Sequence, residues 1–326
     1  MRKTEETELS TTADIDAPPE RRRPRRLRAL LGAAVGLLLL VGLFVATGAE
    51  LSGLVAPLAR VPLWGYGALA LANLAAVALS AKGWQLVLAR LSSGPTLSGR
   101  DALAATGGAT VLGQVLPLQV AIPLIRTLLA RRRGIDARLG AGSSLINQTF
   151  DLLGLGAVVA AVLAYGATLS VAAAGAVLIA APLAVLALVG PIAATLGRLP
   201  RLGGLRALGR LDWALRVQLM TLSVLRMAAI AVIYVLPFLL FRPGLDPLPL
   251  LALFPLVLAL TSLPILPAGL GAFELSWAGA LVLQGVSGAE AAELALAARI
   301  AGVIGLMLVS PVFLWALAAP RRSTGS

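Results

Sequence analysis

Apolar runs of roughly twenty residues recur along this chain, with short basic connectors between them. The clearest fall at 28–48, 63–80, 145–166, 169–190, 218–241 and 298–318. A helix crossing a hydrocarbon layer about 30 Å thick needs about 20 apolar residues at about 1.5 Å rise each. Lipid offers no partner to a bare peptide group, so a segment of this kind can span only as a helix. Composition agrees: 59% of the 326 residues are hydrophobic and 13% are charged. A soluble protein has about 45–50% apolar and about 25% charged residues. The chain therefore reads as all-α, a polytopic transmembrane helix bundle. A soluble enzyme is excluded.

The inventory narrows the chemistry. There is no cysteine and no histidine. Disulfides, thiolate nucleophiles, Cys/His metal sites and histidine bases are thereby excluded. The chain has no G-x-x-x-x-G-K-[ST] loop, which removes self-driven ATP hydrolysis. Asp151 and Glu274 are the only carboxylates inside apolar runs, and they are far apart in sequence. No enzymatic activity, cofactor or metal is expected.

The net charge of +12 is unevenly placed. Basic residues cluster at Arg21 to Arg28, at Lys82, Arg90 and Arg100, at Arg126 to Arg138, at Arg198 to Arg216, and at Arg321 with Arg322. The other connectors carry only Arg60 and Arg242. Cytoplasmic loops hold the Lys/Arg excess, so the clusters and both termini are assigned inside an inner (plasma) membrane. Such clusters set topology and attract anionic lipid; nucleic acid is not an expected partner. Residues 1–27 and 321–326 read as cytoplasmic tails, the first disordered. The leucine-interleaved arginines of 198–216 suit an amphipathic connector on the cytoplasmic leaflet.

Two further apolar segments, 102–125 and 248–286, are broken by Pro117 and Pro123, and by Pro255, Pro264, Pro267, Gly269 and Gly271. Basic connectors flank the first on both sides, so it must enter and leave on one face as a re-entrant hairpin. The second starts and ends outside, either as a larger hairpin or as two spans, which would make eight. The order span, span, hairpin, span then fills 28–166 and recurs over 169–318 in opposite orientation. That is the pattern of an inverted-topology repeat, whose broken segments mark the central site. The domains expected are a first half at 28–166, a span with its connector at 167–217, and a second half at 218–320.

Ionisable groups within spans are costly and are functional candidates by default. Asp151, Arg226, Glu274 and Arg299 stand out. Asn147 and Gln148 precede Asp151 by four and three residues, which puts all three on one helix face. Arg226 either serves the site or snorkels to the interface. Gly269 and Gly271 permit close backbone approach before Glu274, which either caps the next helix or serves the site. Arg299 is an ion-pair partner for Glu274 or an anchor for an anionic headgroup.

The stretch Pro264-Ile-Leu-Pro267-Ala-Gly269-Leu-Gly271-Ala-Phe-Glu274, followed by Arg299, resembles the lysylphosphatidylglycerol synthase transmembrane family, also called flippase-like membrane proteins. Its members show a P-x-x-x-G-G-x-G-x-x-E run; Ala268 replaces the first glycine here. Trp84, Leu116-Pro117, Arg126 and Asp151 also fall in family order. Two departures stand out. The glycine-rich run after Leu116-Pro117 is missing, and Asn147 and Gln148 occupy positions where Glu-Arg is common. The aminoacyl-transferring domain of the full synthases is absent, so the resemblance implies lipid translocation without lipid synthesis.

These readings combine into one expectation. The chain translocates or binds a phospholipid or lipid-linked headgroup, anionic or polyprenyl-linked. Glu274 and Arg299 form one polar wall. Arg126, Asn147, Gln148 and Asp151 form the other, with Gln114 and Gln119 as hydrogen-bonding groups. Glu274 is the candidate proton carrier. The alternative is a non-transporting membrane partner of a glycosyltransferase or aminoacyl-lipid synthase, and a membrane-embedded transferase acting on polyprenyl-phosphate lipids is a third reading.

Overall fold

The structure, a computed structural model, describes residues 37–318 apart from 39, 93, 95, 115, 197–210 and 262–268. Both tails, most of the arginine-rich connector, the start of the 28–48 run and Pro267 lie outside the described residues. All regular elements among the described residues are helical. They are α1 (Leu40–Thr47), α2 (Val55–Arg60), α3 (Leu63–Leu91), α4 (Gly99–Leu112), α5 (Leu118–Arg132) and α6 (Ala137–Thr168). Then follow α7 (Val171–Leu196), α8 (Trp213–Phe241), α9 (Pro247–Thr261), α10 (Ala272–Val282) and α11 (Gly288–Ala318).

Among the described residues, five helices are long and apolar enough to cross a membrane: α3, α6, α7, α8 and α11. They match five of the six expected spans. The sixth position holds α1 followed by a bend of 95° into the helical segment that ends with α2. Several helices outrun their apolar runs. Helix α3 continues past Lys82 to Leu91, and α6 begins at Ala137 rather than near 145. Hydropathy marks where lipid begins, whereas the hydrogen-bond ladder ends at caps. Asp136 caps α6 by accepting from the Arg138 and Leu139 amides, and Asp212 caps α8 by accepting from the Leu215 amide at 2.8 Å.

Both broken segments are pairs of short helices. Helices α4 and α5 have 14 and 15 residues and part at Gly113 to Pro117. Helices α9 and α10 have 15 and 11 residues. At about 1.5 Å per residue, none reaches across about 30 Å of hydrocarbon. Over its described residues, segment 248–286 holds no helix long enough to be a span, which agrees with a hairpin rather than two spans.

Ion pairs show where the hairpins open. Asp101 at the start of α4 pairs with Arg133 just past α5, so the first hairpin returns to the end it entered. Arg242 after α8 pairs with Glu290 at the start of α11 at 2.6 Å, which closes the second in the same way. Helices α3 and α8 are antiparallel: Arg90 near the end of α3 lies 3.4 Å from Asp212 at the start of α8. The first hairpin thus opens at the C-terminal end of α3 and the second at its N-terminal end. The hairpins enter from opposite ends of the bundle, as an inverted repeat requires.

Small residues let the helices close. Gly107 of α4 packs under the Phe313 ring of α11, and Gly154 of α6 packs on Ser223 of α8. Trp84, Leu69, Phe254 and Trp277 are buried inside, while Leu63, Leu71, Ile179 and Leu283 face outward. An outward apolar surface is what lipid contact demands.

Candidate functional site

Helices α3, α4, α5, α6, α8, α9, α10 and α11 enclose a cavity of about 240 Å³. Gln114 and Gln119 reach it from the first hairpin, and Thr261 and Phe273 from the second. Ligand sites for drug-sized molecules measure about 300–1,000 Å³. This cavity has room for a headgroup but not for acyl chains.

Two ion pairs flank it, one half-buried and one with a fully buried carboxylate. Asp151 of α6 accepts from Arg226 Nη1 of α8 at 2.8 Å, from Ser223 Oγ at 3.2 Å and from Asn147 Nδ2 at 3.3 Å. The arrangement is specific because Ser223 and Arg226 sit three apart on one face of α8. Across the cavity, Glu274 is fully buried and pairs with Arg299 of α11. Its other oxygen accepts from the Gly271 amide at 2.8 Å, so it caps α10 as well as forming the pair. Arg299 Nη2 donates to the Gly269 carbonyl at 3.1 Å, and its guanidinium lies 4.9 Å from the Phe273 ring centre. Gly269 and Gly271 hold φ of +65° and +78°, which open the turn so that their backbone groups reach these two side chains.

A third guanidinium stands behind the wall. Arg126 of α5 is completely buried. Its Nη2 donates to Ser80 O, Ser80 Oγ and Thr106 Oγ1, each at 3.0 Å, and its Nε donates to Thr106 Oγ1 at 3.2 Å. The Trp84 ring lies beneath it at 5.0 Å, held by an indole N–H bond of 2.9 Å to Ser143 Oγ. Ser80 and Thr106 face the cavity from α3 and α4. Buried charge in a low-dielectric interior persists only when paired or hydrogen-bonded. Three guanidiniums against two carboxylates leave the site with a positive excess suited to an anion.

A family profile described as "Lysylphosphatidylglycerol synthase TM region" matches residues 29–310. The chain belongs to that family. No curated protein and no solved structure matches it. Family membership and the helical bundle make it a multi-pass membrane protein.

Within this lysylphosphatidylglycerol synthase transmembrane-family chain, the expected residues distribute as follows. Glu274, Arg299, Gly269 and Gly271 come together, but of the four only Arg299 lines the cavity; Glu274 is fully buried behind it rather than forming the wall. Asp151, Gln148 and Gln114 line the cavity on the opposite side. Asn147 is buried behind Asp151 and supports it rather than facing the cavity. Arg126 sits behind the wall rather than in it, because Ser80 and Thr106 stand between. Arg226 is not a snorkelling side chain but the partner of Asp151. Where the family often carries Glu-Arg, Asn147 donates to Asp151 and Gln148 points a buried, unpartnered Nε2 at the site. Sequence reasoning passed over Ser80, Thr106 and Ser223. The spacing Asn73, Val77, Ser80, Trp84 along α3 is a single helical face and was the available signal.

Proposed function

We propose that the chain binds a phospholipid or lipid-linked headgroup in this cavity and passes it between leaflets. One observation carries the reading: the Asp151–Arg226 pair joins the two halves at a cavity that lies between hairpins entering from opposite ends. A headgroup replaces its water with these fixed charges and hydroxyls, while the acyl chains stay in lipid. Movement of one hairpin or the other would open the cavity to one side at a time. No chemical step is assigned to this chain. Transport is downhill or driven by an ion gradient, and Glu274, buried behind Arg299, would exchange a proton once that pair parts. Among the described residues, Arg90, Arg131, Arg132, Arg133 and Arg138 lie at the end where the first hairpin opens, so that end is assigned to the cytoplasm of an inner membrane, with both termini there.

The test is translocation in proteoliposomes. Fluorescent phosphatidylglycerol is incorporated, and its outer-leaflet fraction is bleached by an impermeant reductant. Wild type should expose the inner pool faster than protein-free vesicles, and Glu274→Gln should abolish the gain; because the variant leaves Arg299 without its carboxylate, it is assayed at a temperature where its own melting curve shows it folded. Wild type matching empty vesicles, together with co-purification of a glycosyltransferase or aminoacyl-lipid synthase, would favour the role of a membrane partner.

A further inference from the structure

We propose that Ser80 and Thr106, backed by Arg126, form a phosphate-binding subsite on the cavity wall, and that it takes an anionic headgroup without a free amine. This deepens the headgroup reading and rests on it.

The argument begins with proton bookkeeping. Ser80 Oγ and Thr106 Oγ1 both accept from Arg126. A hydroxyl that accepts still has its own proton to give. Among the described residues neither hydroxyl proton has an acceptor, although both side chains line the cavity. Two donors therefore point their capacity at the same space. The guanidinium behind them withdraws charge from both oxygens and strengthens them as donors to an anion. Arg126 itself has no ion pair with a carboxylate among the described residues, and its Nη1 is buried without a partner. A buried guanidinium held by neutral oxygens and the Trp84 ring, with Asp151 acting on it only at a distance while paired to Arg226, has no carboxylate of its own. A phosphate bound to Ser80 and Thr106 supplies the negative charge.

The same geometry speaks against an amine. The strongest partner for an incoming ammonium in a low-dielectric site is a free carboxylate. Asp151 is already held by Arg226, Ser223 and Asn147, and Glu274 by Arg299 and the Gly271 amide. The apolar runs contain no third carboxylate. A lysyl ester of phosphatidylglycerol would bring its two ammonium groups into a cavity that already has a positive excess.

The full chain, purified in maltoside, is titrated with dihexanoyl phosphatidylglycerol, with its lysyl ester and with inorganic phosphate. Binding is read from intrinsic tryptophan fluorescence, to which Trp84 under Arg126 contributes. Phosphatidylglycerol should bind at least about tenfold more tightly than the lysyl ester, and Thr106→Val should weaken it by about ten- to a hundredfold. Equal or tighter binding of the lysyl ester would overturn the amine exclusion and leave the headgroup reading standing. Unchanged affinity in Thr106→Val would overturn the subsite. Inorganic phosphate binding as well as the lipid would keep the anion site and remove the lipid reading. No binding of any of the three would overturn both.

Discussion

Arg226 of α8 places Nη1 2.8 Å from Asp151 Oδ2 of α6, and this contact joins the two halves of the chain beside the central cavity. Neither charge makes a second ion pair among the described residues, so each is held in the bundle chiefly by the other. Removing one partner of a buried pair leaves an uncompensated charge and costs about 3–5 kcal/mol. Both side chains keep some exposure, which puts the expected loss near the lower end. Asp151→Asn or Arg226→Gln should each lower stability by about 3 kcal/mol, and the double variant should recover most of it. Thermal unfolding of the three variants in detergent checks the cycle. Additive losses would show that the two residues act independently.

The opposed hairpins set a topology that labelling can read. The chain has no cysteine, so a single introduced thiol is unambiguous. Arg132 lies exposed at the mouth of the first hairpin and Gly244 at the mouth of the second. Arg132→Cys and Gly244→Cys should react with an impermeant maleimide from opposite faces of sealed membranes. Labelling from one common face would remove the inverted arrangement.

Gly269 is fixed by both its backbone and its neighbour. Its φ is +65°, and an added Cβ would lie 2.7 Å from Thr261 Cβ. Strain in the left-handed region costs about 1–2 kcal/mol and overpacking about 1–3. Gly269→Ala should therefore destabilise by about 2–5 kcal/mol. It should also move the carbonyl that receives Arg299 Nη2. A shift in melting temperature of less than one degree or so would contradict this.

Asp212 supplies an acid-side pH dependence at the bundle's edge. The Leu215 amide bonded to its carboxylate holds its pKa below the usual value; desolvation opposes it, and Arg90 adds to the lowering. A depressed folded-state pKa stabilises above the unfolded value of about 3.9 and is lost as pH falls through the folded one. Asp212→Asn keeps a capping oxygen and should show a shallower fall in melting temperature below about pH 4. Asp212→Ala should lose stability at neutral pH as well. Identical acid limbs for wild type and Asp212→Asn would remove the carboxylate's role.

The sequence carried the hairpins because proline and glycine break helices wherever they fall, and Pro117 and Gly269 break these. It carried the pairing of Glu274 with Arg299 because two costly charges in one apolar half have few other options. It did not carry the orientation of Arg226. Depth along a helix is legible in hydropathy, but the direction a side chain faces depends on neighbouring helices. Arg126 was placed on the cavity wall for the same reason, and only the packing of α3 and α4 puts Ser80 and Thr106 in front of it. Those two hydroxyl residues look like packing filler in a membrane helix, since small residues commonly serve that end. Their chemistry emerges once Arg126 is seen to donate to both.

The most direct measurement is mass spectrometry of the lipids retained by the gently purified protein, wild type beside Arg299→Gln. The expected result is enrichment of one anionic phosphate-bearing lipid over its share of the membrane, lost in the variant. Retention of bulk membrane lipid in identical proportions by both proteins would contradict a headgroup site between the hairpins.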